Sequence, residues 1–188
     1  MRRSRSQTGA RRLATALLCL LAVLAAPLAL GACGEEEEES EVAEGEPLEL
    51  GELSYNVLIT RFLNPEDVED RAYLAGQPAP EPGREYLGVF MTIKNHSEEE
   101  LASATEYLIH DTLDNEYEPL ESESVYALDI GGIIAGETTI PLPDSPAATG
   151  PNQASMLLFN VDDEVSQNRP LTMEISSEAG SGETILDI

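Results

Sequence analysis

From residue 53 onward, apolar and polar side chains alternate at every second position, the period of a strand with one face in a core. In LSYNVLITRF, Leu53, Tyr55, Val57 and Ile59 share one face, with Ser54, Asn56 and Thr60 on the other. In YLGVFMTIKN, Leu87, Val89, Met91 and Ile93 face one way, and Tyr86, Phe90 and Lys94 the other. Both segments are rich in β-branched and aromatic residues, which suit a pleated, half-buried surface. The same reasoning predicts strands over 105–111, 116–120, 125–128, 137–142, 155–161 and 171–176, with 184–188 closing an edge. Asp114-Asn115 is placed as a hairpin turn. Asn64 and Pro65 stand where the cap and first position of a short helical turn would be. The prolines at 78, 80 and 82, and the four within 141–152, mark loops. Seven to nine short strands with a single brief helical candidate predict an all-β protein, an antiparallel β-sandwich. Its expected core is Leu53, Tyr55, Val57, Ile59, Leu87, Val89, Met91, Ile93, Leu108, Leu157, Phe159, Leu171, Met173 and Ile175.

The period is different before residue 53. Residues 13–30 are apolar apart from Thr15, behind a head carrying Arg2, Arg3, Arg5, Arg11 and Arg12. A basic head, an apolar run and small residues before a cut site make a secretory signal. The run has 18 residues and Pro27 near its end, so it is a poor membrane span. Leu30-Gly31-Ala32-Cys33 resembles the lipobox of bacterial lipoproteins. That resemblance implies cleavage before Cys33 and lipid on its thiol, leaving a chain anchored to the cell membrane and facing outside the cytoplasm. Two acyl chains anchor stably where one binds marginally. Arg11-Arg12-Leu13 leaves the export route open between the general and twin-arginine pathways. Residues 34–52 hold ten glutamates and no basic residue. Self-repulsion and scarce apolar side chains predict a disordered acidic linker there. Fully extended, its 19 residues would reach about 60 Å. The expected organisation is therefore a signal over 1–32, lipidated Cys33 and linker over 33–52, and one domain over 53–188.

Charge narrows the partners. The chain has 36 acidic and 10 basic residues. Five of the basic ones belong to the signal, so the exported part carries a net charge of −31. Such a surface repels phosphate backbones and predicts no nucleic-acid binding. It also suits solubility in salt, where repulsion is screened. Cys19 lies in the signal and Cys33 would carry lipid, so no intramolecular disulfide is expected and stability must come from the core.

A longer resemblance runs from about residue 50 to 188. Pro82-Gly83 precedes a strand ending at Asn95, and a D-x-x-D-N-x-Y-x-P hairpin follows (Asp111, Asp114, Asn115, Tyr117, Pro119). An Ala135-Gly136 step leads to LLFNV and then RPLTMEI, residues 169–175. The series resembles the telokin-like, immunoglobulin-like extracellular domains of bacterial lipoproteins and secreted antigens. It implies an immunoglobulin-like sandwich outside the cytoplasm and brings no catalytic residues with it. The proline-rich loop 141–152 is longer than that pattern has.

Candidate chemistry is sparse. Of the histidines, His96 follows the strand ending at Asn95, in a predicted turn, and His110 lies on the polar face of a predicted strand; neither a G-x-S-x-G elbow nor a P-loop is present. No catalytic residue, cofactor or metal site is assigned, and a hydrolase built from dispersed residues is the weakest alternative. Calcium takes oxygen ligands, so the acidic segments 111–116 and 162–164 are candidates for a second, cation-binding alternative. The first lacks the glycine that an EF-hand loop needs at its sixth position. Glu66, Asp67, Glu69 and Asp70 are read as solvated charge. Tyr107, Tyr117 and Tyr126 either present contact area to a partner or pack inside the sandwich. The leading expectation is a non-enzymatic, membrane-anchored module that binds an envelope protein or a small molecule.

Overall fold

The computed structural model describes residues 40–188. Cys33, the signal 1–32 and the first part of the expected linker lie outside them. Twelve strand segments follow in order: β1 (Ser40–Ala43), β2 (Pro47–Leu50), β3 (Leu53–Leu63), β4 (Arg84–Asn95), β5 (Leu101–Ala102), β6 (Glu106–His110), β7 (Glu116–Tyr117), β8 (Ile133–Ile134), β9 (Thr139–Ile140), β10 (Ser155–Asp162), β11 (Leu171–Ser177) and β12 (Gly180–Leu186). Four of these are two-residue pairings, and the eight longer strands build the sandwich. One sheet has the order β1-β12-β11-β6-β7. The other runs β10-β4-β3-β2, with β9 beside β4. All pairings are antiparallel except β1 with β12. The chain is an all-β, immunoglobulin-like sandwich, as the alternation predicts.

Between the sheets, Tyr55, Val57, Leu87, Val89, Met91, Ile93 and Phe159 meet Tyr107, Ile109, Leu171, Met173 and Ile175, all buried. A second cluster covers the outer face of the β10-β4-β3 sheet: Leu63, Tyr73, Leu74, Tyr86, Phe90, Ala154, Met156 and Leu158. Tyr86 and Phe90, read from sequence as the opposite face of β4, are therefore buried too, at 2% and 0% exposure.

Two expected core positions fall outside it. Ile59 is 37% exposed, because a bulge between Val57 and Ile59 inserts Leu58 as an unpaired residue. A side-chain period of two makes one extra residue exchange the faces. Beyond the bulge Thr60 and Phe62 turn inward and Arg61 outward, over the rings of Tyr73 and Phe90 at 5.5 and 5.6 Å. Leu108 is half-buried, and its neighbours Tyr107 and Ile109 occupy the core instead.

Other boundaries shift for identifiable reasons. Residues 40–52 are not linker: β1 adds in parallel to β12, Ser40 opposite Gly182, and β2 pairs with β3, Leu48 opposite Tyr55. Alternating burial of Leu48 and Leu50 against exposed Pro47 and Glu49 drives the docking despite the glutamates. Since β1 covers it, β12 is an interior strand rather than an edge. Residues 125–128 form no strand and touch β10 through a single bridge, Ala127 to Met156. The expected strands over 116–120 and 137–142 shrink to β7 and β9. Asn64 caps no helix; its side-chain oxygen accepts from the Glu66 N–H at 2.9 Å, and the only turn of helix nearby is a 3-10 turn, Asp70–Ala72. A four-residue helix, α1 (Pro146–Thr149), lies in the proline-rich loop, with Ser145 accepting from the Ala148 N–H.

The register divides the sandwich into two ends. Ser40, the β2–β3 turn, Asn95 and the β11–β12 turn share the entry end. Asp111, Arg84 and Asp162 share the far end.

A candidate binding cleft at the entry end

Two turns and one short pairing shape the entry end. Gly51 holds φ +61° at the first position of the two-residue β2–β3 turn, and a Cβ there would lie 2.9 Å from that of Ala179. Glycine thus permits both the tight hairpin and the approach of the β11–β12 turn. Across from them, β5 pairs with β8, Leu101 opposite Ile134. The link between β4 and this pair is organised by Asn95, which is wholly buried. Its Nδ2 donates to the carbonyls of Glu99 (2.7 Å), Ile134 (3.1 Å) and Ala135 (3.3 Å). Its Oδ1 accepts from the Ser97 N–H and hydroxyl, both at 2.9 Å. A Cβ at Gly136 would strike the Glu98 carbonyl, so only glycine closes this loop. The Tyr55 hydroxyl accepts from the Ala104 N–H at 2.8 Å, fixing the chain that leaves β5.

A cleft of about 420 Å³ opens between these parts, a size typical of small-molecule sites. Leu50 and Leu53, both buried, form its floor with half-buried Leu101 and buried Ser103. Exposed Ala102, Thr105 and Ala179 make the walls. Glu52 and Glu178 stand exposed at the rim, and among the described residues no basic side chain lines the cleft. Beneath it the Tyr107 hydroxyl is buried beside Ser103 without a well-formed hydrogen bond. Sequence reasoning placed only Leu53 in this region, and as core. The remaining lining comes from two separated turns and one short pairing, which no local pattern links.

The far end is polar and saturated. Asp111 Oδ1 accepts from the N–H groups of Leu113 (2.9 Å) and Asn115 (3.0 Å). Its Oδ2 accepts from the side chains of Asn115 (2.8 Å) and Asn168 (3.1 Å). Burial opposes ionisation, but these donors outweigh it and hold the carboxyl below its ordinary pKa. Asp162 pairs with Arg84 at 2.6 Å and accepts from the Tyr117 hydroxyl at 3.2 Å. Burial and the charge of Asp162 push Tyr117 up to about 12. Arg84 also donates to the Asn160 carbonyl and lies 5.9 Å from the Tyr117 ring centre. The calcium candidates 111–116 and 162–164 do meet at this end. Asp111, however, presents its oxygens to protein donors, and Asp162 faces an arginine. Among the described residues no three His, Cys, Asp or Glu side chains gather as metal ligands would.

The other candidates disperse. His96 is exposed at the entry end, while His110 lies on β6, 3.6 Å from Glu174. Asp70 is buried and bonded to Arg61 at 2.7 Å and to the Asn64 N–H at 2.8 Å, so it is not a solvated charge. Tyr107 and Tyr117 are core residues, at 2% and 5% exposure. Tyr126 is half-buried, 4.7 Å from the Tyr73 ring. Packing accounts for these tyrosines better than recognition does.

No family model matches the chain, and no curated protein matches it. It is similar to several solved structures. An uncharacterized β-sandwich protein from Clostridium difficile 630 has 15% identity and a TM-score of 0.45, over 81% of this chain and 97% of that one. MPT63, a secreted protein from Mycobacterium tuberculosis, has 11% identity and a TM-score of 0.49, over 80% and 98%. The Bacillus subtilis protein ycdA, a lipoprotein candidate, has 12% identity and a TM-score of 0.49, over 77% of this chain and 38% of its own. At these identities no functional residue carries over.

Proposed function

We propose that the chain is a lipoprotein of the telokin-like, immunoglobulin-like type, anchored outside the cytoplasm through Cys33. In this reading it is a non-enzymatic binding module whose entry-end cleft faces the membrane. The observation that carries it is that Ser40 is already paired within a sheet. Because Ser40 is already paired with Gly182, no more than seven peptide steps separate Cys33 from the sheet, a reach of at most about 25 Å, against the 60 Å of a linker running to residue 52. Ser40 pairs with Gly182, next to the β11–β12 turn that walls the cleft. Lipid on Cys33 would therefore hold the cleft near the bilayer and point the Asp111–Arg84 end away from it. The lipobox residues Leu30 to Cys33, and the run of strand and turn motifs over 50–188, support the anchoring and the family.

Two measurements test this. The expressed chain should fractionate with membranes, and Cys33→Ser should move it to the soluble extracytoplasmic fraction. A fluorophore on Ala179→Cys should be quenched by a lipid-borne quencher, whereas one on Asp163→Cys at the far end should not. Membrane retention of Cys33→Ser, or equal quenching at both positions, would overturn the proposal.

A further inference from the structure

The entry-end cleft has a chemistry that selects among ligands. Its floor and walls offer aliphatic carbon from Leu50, Leu53, Leu101, Ala102 and Ala179, with one hydroxyl, from Ser103, below. Its lining comes from two turns with the strand ends that flank them and from a two-residue strand paired to β8. β5 is two residues long and only the last residue of β2 reaches the cleft, too little edge for peptide recognition by strand addition, so side chains must do the selecting. The rim carries two carboxylates, Glu52 and Glu178, neither of which is paired with a cation among the described residues. The nearest basic groups in sequence, Lys94 and His96, do not line the cleft. The surrounding field has the same sign, for the described residues hold 31 acidic and five basic side chains. A carboxylate or phosphate head at this mouth would meet like charge in a partly desolvated setting.

We infer that the cleft binds a single alkyl chain ending in an ammonium group, the chain on the leucine floor and the head between Glu52 and Glu178. The inference rests on the cleft being the binding site, and holds whether or not Cys33 carries lipid.

The test uses the expressed chain carrying Cys33→Ser, which keeps every described residue and has no lipid on that position. Octylammonium, octanol and octanoate, each below its micelle concentration, are titrated at physiological salt, with amide chemical shifts followed by NMR. Octylammonium should shift residues 50–53, 101–105 and 177–179 and bind about two- to tenfold more tightly than octanol, with octanoate weakest. The double variant Glu52→Gln, Glu178→Gln should lose that preference while keeping its affinity for octanol. Glu66→Gln with Glu118→Gln, both exposed at the far end, should retain it. Ala179→Trp, which fills the cleft from an exposed position, should abolish binding of all three. Octanol binding without a charge preference would overturn the ammonium assignment and leave the cleft standing. Loss of the preference in the far-end variant would overturn it as well. Failure of every ligand to shift the lining residues would remove both.

Discussion

At the residue scale, the far end shows how a single carboxylate or phenol sets the pH limits of the fold. The Asp111 carboxylate gathers the Asp114-Asn115 turn and the Asn168 side chain, and its pKa is depressed in the fold. A depressed carboxyl stabilises the folded state above its unfolded pKa, and that contribution disappears as pH falls through the folded value. Wild-type stability should therefore decline below about pH 4. Asp111→Ala should cost about 2–3 kcal/mol at neutral pH and flatten part of that decline, as urea titrations from pH 3 to 7 would measure. Tyr117 has the opposite sign. Burial and Asp162 raise its pKa from 10.0 to about 12, so the fold favours the neutral phenol. Its contribution is intact below pH 10 and is lost as pH rises toward 12. Tyr117→Phe should lower neutral stability by about 1 kcal/mol through the lost hydrogen bond and weaken the alkaline loss between those values. An unchanged alkaline limb would assign it to another group. Asp111 and Tyr117 were both visible in the hairpin motif, but their partners Asp162, at the end of β10, and Asn168, in the loop after it, are distant in sequence.

At the element scale, β3 and β1 decide what each face carries. Without the Leu58 bulge the alternation of Leu53, Tyr55 and Val57 would continue through Ile59 to Arg61, placing a guanidinium between the sheets. The extra residue instead sends Arg61 to the outer face, where Asp70 and the two rings receive it. A bulge leaves no mark in hydropathy, since Leu58 and Ile59 are as apolar as the core. The parallel docking of β1 depends on a missing side chain. A Cβ at Gly182 would meet Leu48 Cδ1 at 2.8 Å and the Ser40 backbone oxygen at 3.0 Å. Gly182→Val should therefore pry β1 from β12, destabilising by about 1–3 kcal/mol. Limited proteolysis should then show new cleavage within 40–46. Proteolysis that spares this segment would mean the sheet edge can relax around valine.

For the whole molecule, charge is the dominant property. The described residues carry a net charge of −26, and Arg61 and Arg84 pair with Asp70 and Asp162. Most of the glutamates therefore repel one another across the surface. Screening should relieve that repulsion, the Debye length shrinking to about 3 Å at molar salt. Thermal unfolding of residues 40–188 should rise by about 3 °C or more between low and molar sodium chloride, the shift expected for about 1 kcal/mol at this size. A flat response in calorimetry would show that the acidic surface is not under electrostatic strain.

What the sequence determined by itself was the fold class, most of the inner face and the acidic character. A period of two fixes alternate faces wherever no residue is inserted, and charge can be counted without knowing position. What only the tertiary structure decided was the fate of residues 40–52, the inversion within β3 and the existence of the cleft. A glutamate-rich segment reads as solvated until a neighbouring sheet offers Leu48 and Leu50 a core. The cleft is built from turns and a short pairing up to 129 positions apart, so its apolar floor and acidic rim exist only once the strands have closed.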